Sequence, residues 1–243
     1  MSWKGLSLTL VMALCAPPGA RAAANASFDG SLGGGFALPA LRLTPAAAPA
    51  KTTPPVDVQR RGRCGVARWS VKTLSDADAG AVNLAPVDAT VSYLSNNPAS
   101  TPWNADAGSP ADRRIMSGPY AETQVYRVHA TLTAYKLESD RDIHMVLRDP
   151  RTGETLIAES VDPACPGADS SAQARVFANV RRQMASMLFQ GQSPQPGQLN
   201  QVSLPVTLTG VRFFDPPHGQ DGDANNGGEL HPVLCVSTGS DCG

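Results

Sequence analysis

Two stretches of the chain gather side chains able to bind a cation or move a proton. Asp140, Asp142 and His144 sit at alternate positions with Arg148 four residues beyond, and Glu229 and His231 alternate after a polar run containing His218, Gln220, Asp221 and Asp223. Residues i and i+2 of a strand share a face at roughly 6.5–7 Å separation. If both stretches line one wall, two carboxylates and two imidazoles stand together, a set that binds a divalent cation or runs general acid–base chemistry. Asp142, His144, Glu229 and His231 are therefore the candidate catalytic groups, and Asp142, His144 and His231 the candidate metal ligands. Asp140, Arg148, Glu159, His218 and Gln220 are the candidate ligand-binding groups around them. Each also has a plainer reading. Asp140-Arg141-Asp142 has the composition of a solvated hairpin turn, and a strand histidine often only hydrogen-bonds a neighbouring carboxylate or carbonyl. Residues 221–227 place oxygen ligands at alternate positions, as a calcium loop does. Their glycine, however, falls one place late, and Pro232 stands where a bidentate Glu belongs.

Bringing these groups together requires particular strands and the loops before them. Residues 125–137 alternate, with Tyr126, Val128, Ala130, Leu132 and Ala134 on one face and Arg127, His129, Thr131 and Thr133 on the other, which predicts a strand. A charged turn at 138–142 leads to a second strand at 143–147. Asp149-Pro150-Arg151-Thr152-Gly153 is strong turn chemistry before a third strand at 154–161. The period then changes. Asp169 or Ser170 suits a helix N-cap, Val176, Phe177, Val180, Met184, Met187 and Leu188 form one apolar stripe, and Gly191 suits the helix end. A fourth strand at 202–214 carries Gly210 at a bend, and a fifth covers 229–237. Three strands, a helix and two strands is the order of an OB-fold, so the sequence predicts a mostly β chain built on a five-stranded OB-like barrel. The first-to-second and fourth-to-fifth loops of such a barrel flank its binding face. A mixed α+β sandwich or an open sheet are the alternatives. Ahead of the barrel, 61–124 reads as a largely irregular arm, with a short strand at 69–73, a helical turn at 88–94 and loop over 96–119.

The start of the chain speaks to its compartment. Residues 1–4 carry one positive charge, 5–16 form an apolar run shorter than the roughly 20 residues of a membrane span, and Ala20-Arg21-Ala22 has the small-residue spacing of a signal-peptidase site. The organisation expected is a signal peptide over 1–22, a disordered Ala/Pro/Gly-rich linker over 23–60, the arm over 61–124, the barrel over 125–238 and a tail over 239–243. Such a protein is exported, to the periplasm or the medium, without a membrane anchor. Cys64, Cys165, Cys235 and Cys242 remain after cleavage and are expected to pair in an oxidising compartment. Three connectivities are open. The favoured one ties the arm to the domain through Cys64–Cys165 and closes the C-terminus through Cys235–Cys242. No C-x-x-C spacing supports a zinc site built on them.

Composition narrows the function classes further. The formal net charge is −1, and from residue 125 onward nine Lys/Arg face thirteen Asp/Glu, a difference of −4. That balance argues against a polyanion-binding surface. Tyr135 is the one aromatic residue at an expected outward strand position, so the stacking platform of a nucleic-acid binder is missing. A G-x-S-x-G elbow, an H-E-x-x-H helix, a P-loop and a dinucleotide fingerprint are all lacking.

Several further pieces carry a resemblance: Cys64-Gly65 with Arg68-Trp69-Ser70-Val71-Lys72-Thr73, Tyr135-Lys136 with Asp142-Ile143-His144, and Ile157-Ala158-Glu159 with Asp162-Pro163-Ala164-Cys165. The most specific are Gly210-Val211-Arg212-Phe213-Phe214-Asp215 with His218-Gly219-Gln220, and Glu229-Leu230-His231-Pro232-Val233-Leu234. On these pieces, over residues 64–236, the chain resembles a widespread family of secreted bacterial proteins of unknown function. It departs from the family pattern at Arg212, where the pattern has Gly, at Ser160, where it has Ile, and at Gly228, where it has an apolar residue. The resemblance implies export and brings no established activity. The function expected is that of a non-catalytic binding or structural module taking a small ligand or a divalent cation. The alternative is a metal-dependent phosphodiesterase or nuclease. There Asp140, Asp142, His144, Glu159, Glu229 and His231 hold a cation that polarises a phosphate while a His moves a proton.

Overall fold

Alternating apolar residues make β strands before any partner is considered, and five of the strands found lie where alternation places them. The computed structural model describes residues 63–65, 67–103, 112–190, 192–239 and 242, all in the unit that begins at Thr53. The expected signal peptide and the linker over 23–60 lie outside the described residues. In chain order the elements are α1 (Trp69–Lys72), β1 (Asn83–Ala89), α2 (Val91–Asn96), β2 (Gln124–Leu137), β3 (Ile143–Arg148), β4 (Thr155–Ser160), α3 (Ala174–Met184), β5 (Asn200–Phe214) and β6 (Gly228–Ser237). The strands form one mixed sheet in the order β1-β2-β3-β4-β6-β5, and β5 pairs back onto β2. The β1–β2 and β4–β6 pairs are parallel; the other pairs are antiparallel.

The main core lies between these strands and α3. Val128, Leu132, Met145, Leu147, Leu156, Leu208, Leu230 and Val233 meet Val180, Met184 and Leu188 there. Gly210 sits between two register shifts of the β5–β6 pair, and a Cβ on it would lie 2.9 Å from Leu230 Cβ. A side chain at that position would push β6 away, so the bend requires glycine. In β2 a register shift between Leu132 and Ala134 turns the strand by one residue. Tyr135, expected on the outer face, is consequently buried, and its hydroxyl donates to the Leu188 carbonyl at 3.1 Å. A bulge inverts the alternation after it, which is why period two misplaced this ring.

The arm holds more regular structure than its composition suggests. Residues 69–73, expected as a strand, form the single helical turn α1, with Thr73 Oγ1 donating back to the Trp69 carbonyl at 2.9 Å. Val71 and Lys72 are both buried, as neighbours on a helix can be and alternating strand residues on a half-buried sheet are not. The helical turn expected over 88–94 lies later, at α2, where Thr90 Oγ1 accepts from the Tyr93 N–H at 2.9 Å. Asp88 belongs instead to β1, an unexpected sixth strand along one edge of the sheet. Pro86 and the mostly exposed side chains of β1 hide it from pattern reading, because its pairing is carried by the backbone.

Helix α3 begins at Ala174 rather than after Asp169 or Ser170. Ser171 Oγ accepts from the Gln173 N–H and donates to the Leu74 carbonyl, holding those residues as a turn against the arm. The helix runs into a π turn at Ala185–Phe189 and ends on Gln190 in the left-handed region; Gly191, the expected end, lies outside the described residues. Two disulfides are present, Cys64–Cys165 and Cys235–Cys242, the favoured connectivity. No helix among the described residues is long and apolar enough to cross a membrane.

Candidate functional site

The register of three strands builds the site. The antiparallel β3–β4 pair sets His144 opposite Glu159. The parallel β4–β6 pair matches Ile157 to Glu229 and Ala158 to Leu230, so Glu159 and His231 are the next residues along. Glu159 therefore stands between two imidazoles. Its Oε1 lies 3.1 Å from His144 Nδ1 and its Oε2 lies 3.1 Å from His231 Nδ1. Beyond His231, Asp142 Oδ2 lies 3.3 Å from Nε2. Asp142 precedes β3, and its other oxygen accepts the Asp162 N–H at 3.1 Å.

These contacts differ in kind. His144 Nε2 donates to the Asp221 carbonyl at 2.8 Å. His231 has no exposed surface, and neither ring nitrogen makes an aligned hydrogen bond; Asp142 Oδ2 is unpaired as well. The attraction between His231 and its two carboxylates is thus ionic, depending on distance rather than direction. Burial alone would lower the His231 pKa, but Asp142 and Glu159 outweigh it and raise the ring to about 9. Burial pushes Glu159 up, and the His144 and His231 rings more than reverse that, holding its carboxylate well below the usual range. Glu229 goes the other way. Burial and then the Glu159 charge raise it well above the usual range, toward the neutral acid.

An open cleft of about 340 Å³ lies over Glu159. Asp140, His218 and Gln220 line it as well, joined by Lys72, Glu138 and Asp215. Asp142, His144, Glu229 and His231 lie beneath, almost wholly enclosed. Asp140 is pushed up by burial and then by the Glu159 charge, and it accepts the Asp142 N–H at 3.2 Å. His218 Nδ1 donates to the Pro216 carbonyl at 2.7 Å and its other nitrogen meets Gln220 Nε2. Arg148 is not in the cleft. It is exposed at the far end of β3, where Nε donates to the Gly153 carbonyl at 3.2 Å. It shares the His144 face, but four residues of strand separate them by roughly 13 Å. The three candidate metal ligands do not form one set either. Donor atoms cluster as Glu138, His144 and Glu159 and, separately, as Asp142, Glu159 and His231, with Glu159 common to both.

In the 221–227 run, weighed above against a calcium loop, two polar side chains are engaged in hydrogen bonds to backbone groups. Asp223 Oδ2 accepts the Gly219 and Gln220 N–H groups at 2.7 and 2.9 Å, and the Asn226 amide donates to the Leu94 and Pro98 carbonyls, each at 2.9 Å. Its polar side chains hold the loop itself.

Lys72, Glu138 and Asp215 escaped sequence reasoning. Glu138 and Asp215 directly follow β2 and β5, and their adjacency to the motifs was the available signal. Lys72 had only its place in the Arg68–Thr73 piece, in an arm remote from the other site residues. Arg68 Nη1 donates to Glu122 Oε1 at 2.7 Å and to the Phe214 carbonyl at 2.8 Å, while Glu122 accepts the Phe214 N–H at 3.0 Å. That buried pair docks α1 against the end of β5 and brings Lys72 Nζ to 3.7 Å from Asp215 Oδ2. Burial opposes the Lys72 charge, but Glu159, Asp215, Glu229 and Asp142 together raise its pKa, so the ammonium persists.

No protein-family model, curated protein or solved structure matches this chain.

Proposed function

We propose that this is an exported, non-catalytic binding module on an OB-like barrel, and that its acidic cleft takes up a small cationic ligand or a divalent cation. Export is supported by the leader-like N-terminus, by the two disulfides, which need an oxidising compartment, and by the resemblance to secreted bacterial proteins. The barrel reading is supported by the pairing of β5 back onto β2, which gives each of β2 to β6 a partner on both sides. Parallel pairing of the third and last of these strands also fits it.

The observation that carries the binding reading is the cleft itself. Among the described residues, Glu138, Asp140, Glu159 and Asp215 line it against a single ammonium, that of Lys72. Such a mouth attracts cations and repels a phosphodiester backbone. That contrast ranks the binding module above the phosphodiesterase.

The test is a thermal-shift and calorimetric screen of the exported protein against divalent cations, a polyamine, oligonucleotides and cell-wall sugars. Cations are expected to raise Tm, with saturation at a hundred times Kd adding about 2.7 kcal/mol. Asp140→Asn is expected to weaken that effect, and oligonucleotides to have none. Turnover of a phosphodiester by the metal-loaded protein would overturn the proposal in favour of the enzyme.

A further inference from the structure

Resting on that reading and narrowing it, we propose that the cleft floor is a binding site for a first-row divalent transition metal ion of the zinc or manganese class. The ligands are His144 Nδ1 and one carboxylate oxygen each from Glu159 and Glu138.

The argument starts from one hydrogen. A carbonyl oxygen can only accept, so the His144 Nε2 contact with Asp221 O at 2.8 Å assigns a ring proton to Nε2. Nδ1 is then the ring atom left to face the carboxylates, and it is in hydrogen-bond contact with Glu159. It points at Glu159 Oε1, 3.1 Å away, and Glu138 Oε1, 3.7 Å away. With no ion bound, a proton on Nδ1 bridges to Glu159, and a metal ion would take that proton's place. A metal ion with bonds of roughly 2.0–2.2 Å sets tetrahedral ligand atoms about 3.3–3.5 Å apart. The two measured separations bracket that distance, and the three donor atoms all lie within 4.8 Å of one another.

The surroundings fit an ion as well. Donation of the distal ring N–H to a backbone carbonyl is the usual support of a metal-bound histidine. His231, fully buried and without an aligned hydrogen bond, stands 3.1 Å from Glu159 Oε2 and leaves Oε1 toward His144. Glu138 Oε1 is itself buried without a hydrogen bond, although Lys136 Nζ is 2.9 Å away, and a carboxylate oxygen has lone pairs for both contacts. Glu138 and Glu159 open to the cleft, so an ion can enter with water in its remaining positions. An imidazole among the ligands disfavours calcium and magnesium, which take oxygen. The neighbouring set of Asp142, Glu159 and His231 is less suitable, since Asp142 and His231 are closed off from the cleft and any ion there would shed all its water.

The experiment titrates Co²⁺ into the chelator-stripped, full-length exported protein, reading visible absorption, followed by displacement with Zn²⁺. Saturation at a single equivalent is expected. Glu138→Gln, a partly exposed change that spares the fold, is expected to weaken binding about 10–100-fold. Arg148→Ala is expected to bind as the parent does. Because His144→Gln alters a buried ring and can unfold the chain, His144 is read directly by ¹⁵N NMR, where Zn²⁺ is expected to leave Nε2 protonated and shift the Nδ1 resonance. The inference fails if the folded parent binds neither ion, if Glu138→Gln binds equally well, or if Nδ1 keeps a proton in excess Zn²⁺. Uptake of a polyamine or Ca²⁺ without Co²⁺ or Zn²⁺ sinks this inference alone, whereas indifference to every cation sinks the binding reading with it.

Discussion

Arg212 and Gly228, where the sequence reading expects Gly and an apolar residue, lie against each other. A Cβ on Gly228 would stand 2.6 Å from Arg212 Cζ, so the guanidinium fills the space of a side chain at 228. Arg212 Nη2 donates to the Leu94 carbonyl at 2.6 Å, tying α2 to β5, and the guanidinium carbon lies 4.4 Å from the Phe214 ring centre. A large residue at 212 thus answers a missing one at 228. The prediction is a double-mutant cycle. Gly228→Ile alone collides with the guanidinium, and Arg212→Gly alone leaves a cavity, the Leu94 carbonyl keeping its Asn226 donor. Together they are expected to cost less than their sum, with a coupling of about 1–3 kcal/mol in urea unfolding. Simple additivity would remove the swap interpretation. Ser160, where the sequence reading expects Ile, is buried with an unpaired hydroxyl, and nothing in the structure explains it.

Elements act here through their ends. The β3–β4 turn reaches back to α2: Asp149 Oδ2 accepts the Ser92 N–H at 3.1 Å, while Oδ1 accepts those of Arg151 at 2.9 Å and Thr152 at 3.3 Å. Burial pushes the Asp149 carboxyl up, but these three N–H groups outweigh it and leave its pKa below the ordinary value. A carboxyl lowered in the fold stabilises above its unfolded pKa of about 3.9 and loses that contribution as pH falls through the folded value. Asp149→Ala is therefore expected to cost about 1 kcal/mol near neutrality. Its deficit should shrink when the urea midpoint is measured well below pH 4; a deficit constant with pH would mean that packing, not charge, is what Asp149 supplies.

At the scale of the molecule, the two disulfides differ in what they restrain. Cys64–Cys165 spans 101 residues and fastens the arm that delivers Lys72, whereas Cys235–Cys242 spans 7. Loop-closure entropy gives about 4–5 kcal/mol for the long loop and about 2–3 for the short one. Serine replacements at Cys64 and Cys165 should lower the urea midpoint more than those at Cys235 and Cys242. Equal losses would show that the arm stays docked through the buried Arg68–Glu122 pair without its covalent tie. The same arm packs on the end of β5, where Leu74 and Val82 meet Val211 and Tyr120 lies against Phe214; β5 is buried from Val206 onward although its first half alternates.

How much of this was legible follows from the range of the interactions concerned. Strands β2 to β6, the α3 stripe and the Gly210 bend come from repeats of two or 3.6 residues and from one close approach, so neighbours along the chain betray them. Asp142, His144, Glu159, Glu229 and His231 were visible as chemistry for the same reason. Which of them touch was not, because contact depends on register between strands, and the sequence carries no local mark of it. The bulge that turned Tyr135 inward, the backbone-paired edge strand β1 and the arrival of Lys72 from a remote segment are likewise long-range outcomes. Local pattern therefore determined the elements and the kinds of side chain present. Tertiary packing alone decided that Glu159 stands between two imidazoles beneath an acidic cleft, because strand pairing brings together residues with no proximity in sequence.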